Sequence, residues 1–342
     1  MEESYTAHSE ETEIGTERIV AFDVLKCFAI FLVLWAHGIQ HLTSADCIEN
    51  PLYRVIYSFH MPLFMMVSGY FSVKSMRLGF REFAKKKLRQ IVLPGFLWPW
   101  VYVIIGMIAG EESVHLYSNP TRYIPFWFLW ALLICNLLAY AGHSIKYGRI
   151  LTLLVSQVIP FANVVFMYPA FIVGQLLYNN KEWFKRNIKV IIGVSALLYL
   201  VAMLFWGVDD WHLASQTQER IASSGYLAAG FFYVGKTAYK LVVNLSGSVM
   251  FISLFLFSDS LWDNQFCRVL GLIGKYTLII YILQSFILEM QLPKYIHLDY
   301  LSQVVFDYIA TPVIALVVIL FSVGIAMLVD TNKYSRLLLL GR

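Results

Sequence analysis

Residues 18–42 read RIVAFDVLKCFAIFLVLWAHGIQHL, an apolar stretch long enough for one membrane-spanning helix. Its interior contains Asp23 and Lys26 near one end, and His37 and His41 near the other. An ionisable group exposed to hydrocarbon costs about 3 kcal/mol or more, so such residues usually face a protein interior or a wet cavity. The stretch therefore predicts a membrane span that also forms part of a functional site.

Helical geometry places these four side chains in one stripe. Lys26 and His37 are 11 residues apart, which corresponds to about 16 Å along a helix and to the same face within about 20°. Asp23 is close enough to pair with Lys26, and His41 lies one turn beyond His37. His37 is the candidate general base because imidazole titrates near neutrality. The alternatives are a structural ion pair for Asp23 and Lys26, and an interfacial ring for His41.

The composition predicts an all-α, polytopic membrane protein. The 342 residues are 59% hydrophobic and 14% charged, with a mean hydropathy of +0.65, whereas soluble domains are about half apolar and about a quarter charged. The net charge of +4 is explained by the basic residues that orient a membrane protein in the bilayer. We therefore expect no nucleic-acid partner. The four cysteines lack metal-ligand spacing, so they are expected to be structural thiols and no metal is expected: Cys27, Cys47, Cys135 and Cys267.

Ten segments match the length of a membrane span. They predict a bundle of about ten spans at residues 19–41, 52–73, 90–109, 123–141, 149–162, 163–179, 189–207, 238–258, 272–290 and 305–329. The fifth and sixth are short and interrupted by Pro160, Asn163 and Pro169, which is typical of broken or re-entrant helices around a cavity. The polar, aromatic loop at 208–237 is either a plain connector or an element that faces substrate.

Charge orients this bundle. The predicted segments on the side of the amino terminus contain 19 Lys and Arg residues and the opposite side contains 6, so both termini are predicted in the cytoplasm. Residues 1–17 carry six glutamates and predict a disordered acidic tail without a cleavable signal peptide. Residues 18–330 form the predicted transmembrane domain, and residues 331–342 a short, basic cytoplasmic tail.

A second motif lies in the following span. His60, Met61 and Pro62 predict a local break in the helix because proline removes a backbone hydrogen bond. Ser68 and Gly69 predict close helix packing. His60 is either structural or a second imidazole facing the first span.

Five stretches of this chain resemble membrane acyltransferase family 3, the integral-membrane O-acyltransferases that modify cell-surface glycans. They are FDVLKCFAIFLVLWAH (22–37), SFHMPLFMMVSGYF (58–71), KKKLRQIVLPGFLW (85–98), PFWFLWALLICNLL (125–138) and LGLIGKYTLIIYILQSF (270–286). The resemblance implies a transmembrane acyltransferase domain at residues 18–330, located in the cell (plasma or inner) membrane.

The resemblance also implies roles for individual residues. In the family a basic residue, usually Arg, precedes an essential His by eleven positions, and here these positions hold Lys26 and His37. Lys keeps the charge but lacks the bidentate fork of Arg. Gln284 stands where the family often has a His, and it can hydrogen-bond but cannot transfer a proton.

Catalytic roles are therefore expected for His37, Lys26 and Asp23. The expected substrate-binding residues are His60, His41, Ser68, Trp127 and Gln284, although packing is the alternative for Trp127 and Ser68. The basic cluster before the third span has two alternative roles. It either orients the protein in the membrane and binds lipid headgroups, or it receives the phosphates of acyl-CoA. Its expected donor-binding members are Lys85, Lys86, Lys87 and Arg89.

The sequence thus predicts transfer of acetyl from cytoplasmic acetyl-CoA to a sugar hydroxyl of an envelope polysaccharide or lipid-linked glycan. His37 would act as general base or as acyl carrier. Membrane lipids and a second copy of the chain are the other candidate partners. The alternative is a proton-coupled transporter or flippase of a small acid or lipid-linked sugar that uses the same stripe as a proton relay.

Overall fold

The computed structural model describes residues 20–108, 126–262 and 264–341, and every regular element within them is helical. The predicted acidic tail at residues 1–17 lies outside this part of the chain. The α-helices are α1 Val20–His41, α2 Pro51–Met76, α3 Phe80–Lys87, α4 Leu93–Ile108, α5 Trp127–His143, α6 Gly148–Ser156, α7 Val164–Asn179, α8 Lys181–Arg186, α9 Ile188–Met203, α10 Leu213–Phe257, α11 Gln265–Lys275, α12 Thr277–Gln284, α13 Gln303–Val305, α14 Thr311–Asp330 and α15 Lys333–Leu340.

Several of these helices can cross a membrane. Within the described residues, four helical runs are long and apolar enough to do so: Val20–His41, Phe80–Ile108, Leu213–Phe257 and Gln303–Asp330. A fifth candidate consists of α11 and the run that starts with α12, which meet at a 60° bend. Helices α5, α7 and α9 are apolar but shorter. The all-helical membrane class is supported, while the count of ten spans and the placement of the termini stay predictions.

Helix α1 lies at the centre of the bundle, where it packs against α2, α10, α11, α12 and α14. Most of its apolar side chains are buried by these neighbours. This central position explains how one helix can carry four ionisable side chains, because they contact protein or cavities instead of lipid.

Helices α2 and α7 cross with their backbones in direct contact. A Cβ atom added to Gly69 would lie 2.0 Å from the Phe171 carbonyl oxygen, and one added to Gly174 would lie 1.9 Å from the Met66 carbonyl oxygen. Only glycine fits at these two positions, since real Cβ contacts are never this short. The close packing predicted at Gly69 is confirmed.

The helix break predicted at Pro62 is wrong, because α2 continues through this residue. Proline leaves the carbonyl group of Ser58, four residues earlier, without its helical donor. In the amide orientation that satisfies both groups, the Asn244 nitrogen donates to this carbonyl oxygen at 2.6 Å. A side chain from α10 therefore replaces the lost backbone bond and lets the helix run on.

The predicted fifth span is shorter than residues 149–162. Helix α6 ends at Ser156, and the backbone turns through positive φ angles of 51° at Ala162 and 53° at Asn163 before α7 begins. The prediction of a broken helix is confirmed here, whereas Pro169 is accommodated inside α7.

The stretch predicted as a loop at residues 208–237 is mostly helical. A single 3-10 turn at Val208–Trp211 leads directly into α10, which is interrupted at Gly225, where φ is +83°. The buried Asp210 carboxylate accepts a hydrogen bond from Lys236 Nζ at 2.7 Å. The polar residues thus fold back on one another instead of forming an irregular connector.

Candidate functional site

His37 faces a carboxylate from a distant part of the chain. Its Nδ1 atom lies 3.3 Å from Glu289 Oε1, a short ion-pair distance without the alignment of a hydrogen bond. The Nδ1 atom is buried and has no hydrogen-bond partner among the described residues. The sequence motifs do not include Glu289, although an acidic residue inside the predicted span 272–290 was a usable signal.

Glu289 is itself held in place by two hydrogen bonds. Ser285 Oγ donates to Oε1 at 2.7 Å, and Gln284 Nε2 donates to the same oxygen at 3.1 Å. Ser285 and Glu289 lie in a π-helical stretch, Ser285–Gln291, which directly follows Gln284, the last residue of α12. Such wide turns are frequent at functional sites. The prediction that Gln284 hydrogen-bonds at this position is confirmed, and its partner is the carboxylate that faces His37.

His41 lies beside the same pair. Its ring stacks on the His37 ring at a centroid distance of 5.7 Å and an angle of 15°. His37, His41 and Glu289 offer three possible metal-ligand atoms within 4.8 Å of one another.

His60 and His37 both lie close to the ring of Tyr57. The Tyr57 ring centroid is 6.4 Å from that of His37 and 4.5 Å from that of His60. His60 is buried, and its Nδ1 atom lies 2.8 Å from the Ile56 carbonyl oxygen, where it acts as the donor. Of the two predicted imidazole partners, His41 stacks on His37, and His60 packs edge-on against Tyr57.

The other end of the polar stripe lines a cavity. Lys26 Nζ donates to Asp23 Oδ1 at 3.0 Å, which confirms the predicted pair, and also lies 5.0 Å above the ring of Phe71. The cavity has a volume of about 610 Å³ and its walls are mostly apolar. We call it the lysine cavity, since it contains Lys26 and Lys275; its further lining residues include Asp23, Val33, Met61, Ser68, Phe71 and Tyr281.

The basic cluster lies apart from this cavity. Lys85 and Arg89 are exposed, while Lys87 is buried with its ammonium 5.7 Å above the Phe83 ring. The described lining of the lysine cavity includes none of Lys85, Lys86, Lys87 and Arg89. The role of this cluster in donor binding stays a prediction.

A second cavity of about 280 Å³ is rich in aromatic rings. We call it the tryptophan cavity; its lining includes Trp127, Trp206, Trp211, Tyr57, Met61, Asn163 and Lys240. Trp127, a predicted substrate-binding residue, is thus one of its walls. Met61 lines both cavities, so the two adjoin at this side chain. His37 is in the lining of neither cavity. It lies one helical turn beyond Val33, which lines the lysine cavity, and its ring centroid is 6.4 Å from that of Tyr57, which lines the tryptophan cavity.

The fold and the site define an integral membrane protein with a histidine–glutamate pair in the same helix bundle as two cavities. The model of the acyltransferase domain family matches residues 19–331. The chain belongs to this acyltransferase family.

Two curated relatives are both called nodulation protein NolL. The one from Mesorhizobium japonicum is 25% identical over 300 residues, which cover 78% of this chain and 76% of the relative. The one from Sinorhizobium fredii is 23% identical over 294 residues, which cover 79% of this chain and 78% of the relative. No solved structure matches the chain. The similarity to both relatives therefore extends over most of the membrane domain.

Proposed function

We propose that the protein transfers an acetyl group from acetyl-CoA to a sugar hydroxyl of an envelope polysaccharide or lipid-linked glycan. The observation that carries this proposal is the 3.3 Å contact between His37 Nδ1 and Glu289 Oε1. A carboxylate on one ring nitrogen fixes the tautomer and makes the other nitrogen a better base. Family membership supplies the reaction class, and the pair supplies a group that can carry it out.

His37 acts through Nε2 in this scheme. With the Glu289 carboxylate beside Nδ1, Nε2 accepts the proton of the acceptor hydroxyl while the oxygen attacks the thioester carbonyl. The C–S bond breaks, and the CoA thiolate takes up a proton as it leaves. In the second possible route Nε2 attacks the thioester carbonyl, and the C–S bond breaks to release the CoA thiolate and leave an acetyl-imidazolium. The acceptor oxygen then takes the acetyl group from Nε2, and the hydroxyl proton passes to the thiolate. Both routes use the same atoms, and Glu289 stabilises the positive ring in each.

The lysine cavity receives the acyl end of the donor. Its mostly apolar walls and its 610 Å³ volume suit a thioester arm, and Val33, one helical turn before His37, is part of its lining. Lys26 is paired with Asp23, and Lys275 is paired with Asp330 at 3.1 Å, so both lysine charges are largely balanced. Phosphate binding is therefore assigned to the exposed basic cluster around Lys85, at the cytoplasmic side in the predicted topology of ten spans.

Purified protein in lipid nanodiscs tests this function. We expect radiolabelled acetyl to move from acetyl-CoA to the O-deacetylated surface glycan of the producing cells without any membrane gradient. His37→Ala should lower the rate about 100-fold or more, because a general base contributes about 100- to 10,000-fold. Wild-type rates in an assembled His37→Ala protein would rule out this mechanism. His143→Ala serves as the matched control, since His143 is exposed at the end of α5.

A further inference from the structure

The tryptophan cavity has the wall chemistry of a sugar site. Its aromatic residues come from five different elements: Tyr57 from α2, Trp127 from α5, Phe166 from α7, Trp206 from the turn after α9 and Trp211 from the following 3-10 turn. Aromatic faces pack against the C–H faces of a sugar ring, and Tyr and Trp combine an apolar body with a polar handle. A volume of 280 Å³ is near the small end of ligand pockets, about 300–1,000 Å³, and suits a single ring.

Two side chains that line this cavity carry a donor without an acceptor. The indole nitrogens of Trp206 and Trp211 are buried and have no hydrogen-bond partner among the described residues. A buried donor without a partner costs about 1–3 kcal/mol. The two nitrogens have almost no accessible surface, so a ligand reaches them only when the indole rings turn, and a ligand rich in acceptor oxygens favours that turn. The hydroxyl groups of a sugar supply such acceptors, whereas the hydrocarbon chain of a lipid does not.

A further polar group completes this lining. Lys240 Nζ donates to the Asp210 carbonyl oxygen at 3.0 Å and lies 6.0 Å from the centre of the Trp206 ring. An ammonium group has three donors, so others besides this bond can face a ligand. Asn163 lies at the turn between α6 and α7 and adds an amide to the same wall.

The cavity is also in the right place for an acceptor. The Trp211 ring is 5.5 Å from the Tyr57 ring, which is in turn 6.4 Å from the His37 ring. Met61 connects it to the lysine cavity, where the acyl donor is placed. We propose that the tryptophan cavity binds one saccharide ring of the acceptor and directs its hydroxyl towards His37. This role as acceptor site rests on the proposed function, whereas sugar binding itself does not.

Two conservative substitutions test sugar binding directly. Trp206→Phe and Trp211→Phe keep an aromatic face and remove only the N–H donor. The matched control is Trp262→Phe, because the Trp262 nitrogen already donates to the Phe255 carbonyl oxygen at 2.8 Å and its ring stacks on Phe255. The probe is the O-deacetylated oligosaccharide released from the surface glycan of the producing cells. Calorimetry in nanodiscs free of glycolipid and glycoside detergent measures its affinity.

We expect wild type and Trp262→Phe to bind the oligosaccharide equally well. Each of the two test variants should bind it about 2- to 12-fold more weakly, the equivalent of one lost hydrogen bond. Trp211→Ala should bind more weakly still because it also loses the stacking face. Absence of binding in wild type, or equal binding in all variants, overturns the proposal. If the substitutions instead change the binding of laurate and leave sugar binding unchanged, the cavity holds an acyl chain and the proposal is wrong.

The acyl-transfer assay separates this inference from the proposed function. If wild type binds the sugar through the two tryptophans but transfers no acetyl, the acyl-transfer proposal fails while the cavity assignment stands. If wild type transfers acetyl and its sugar affinity is independent of both tryptophans, the cavity assignment fails alone.

Discussion

Replacing Glu289 by glutamine keeps the shape of the side chain facing His37 and removes its charge. At the observed separation of 3.3 Å, a full ion pair in a medium of effective dielectric constant 20 is worth about 5 kcal/mol. The Glu289 side chain is 29% exposed and accepts two further hydrogen bonds. Both features weaken its interaction with protonated His37, so we take the energy of a hydrogen bond to a charged group, about 1.5–3 kcal/mol. We therefore expect kcat to fall about 10- to 150-fold.

Steady-state kinetics with acetyl-CoA and the surface glycan measure this effect. KM for both substrates should stay near the wild-type value, because Glu289 acts through His37 on the transition state. Glu289→Asp keeps the charge on a shorter side chain and should recover part of the activity, a rescue that a merely structural role would not produce. Glu182→Gln is the control, since Glu182 is exposed on α8. A kcat for Glu289→Gln within about twofold of wild type would refute this role.

Three further predictions concern other parts of the molecule. Lys26→Arg should retain acyl transfer and Lys26→Ala should impair it strongly; steady-state kinetics of the two variants measure the difference. Normal activity in the alanine variant would show that the lysine has only a structural role. Gly174→Ala should destabilise the protein by about 1–3 kcal/mol because its Cβ would meet a carbonyl oxygen at 1.9 Å, whereas Gly193→Ala, with no atom within 4 Å, should not change the melting temperature. Hydrogen bonds from the hydroxyls of Thr43 and Ser44 and from the Ser44 backbone N–H lower the pKa of Asp299. These bonds, which tie Asp299 to the residues after α1, are therefore fully present above about pH 4 and are lost as the pH falls through the lowered pKa. Hydrogen exchange at residues 43–44 should show this loss in wild type and no such transition in Asp299→Asn.

Local periodicity explains what could be predicted from the sequence. The pairing of Asp23 with Lys26 and the neighbourhood of His37 and His41 depend only on helical geometry within one segment, so the spacing of the residues was sufficient. The helical class followed from apolar length in the same way.

Long-range contacts explain what could not. Glu289 reaches His37 from a segment more than two hundred residues later, and no spacing rule connects the two. Pro62 did not break its helix because Asn244, on α10, replaces the missing donor. Within the polar stretch after Val208, the buried Asp210 pairs with Lys236, 26 residues later. In each case a partner distant in the sequence outweighs a local preference.

The shared position of Met61 bears on how the two cavities are kept apart. Since this one side chain lines both cavities, the wall between them is at that point a single residue thick. A long, unbranched thioether can adopt many shapes without breaking contact with its neighbours. A rotamer change of Met61 is therefore the smallest movement that would alter the opening between the lysine cavity and the tryptophan cavity.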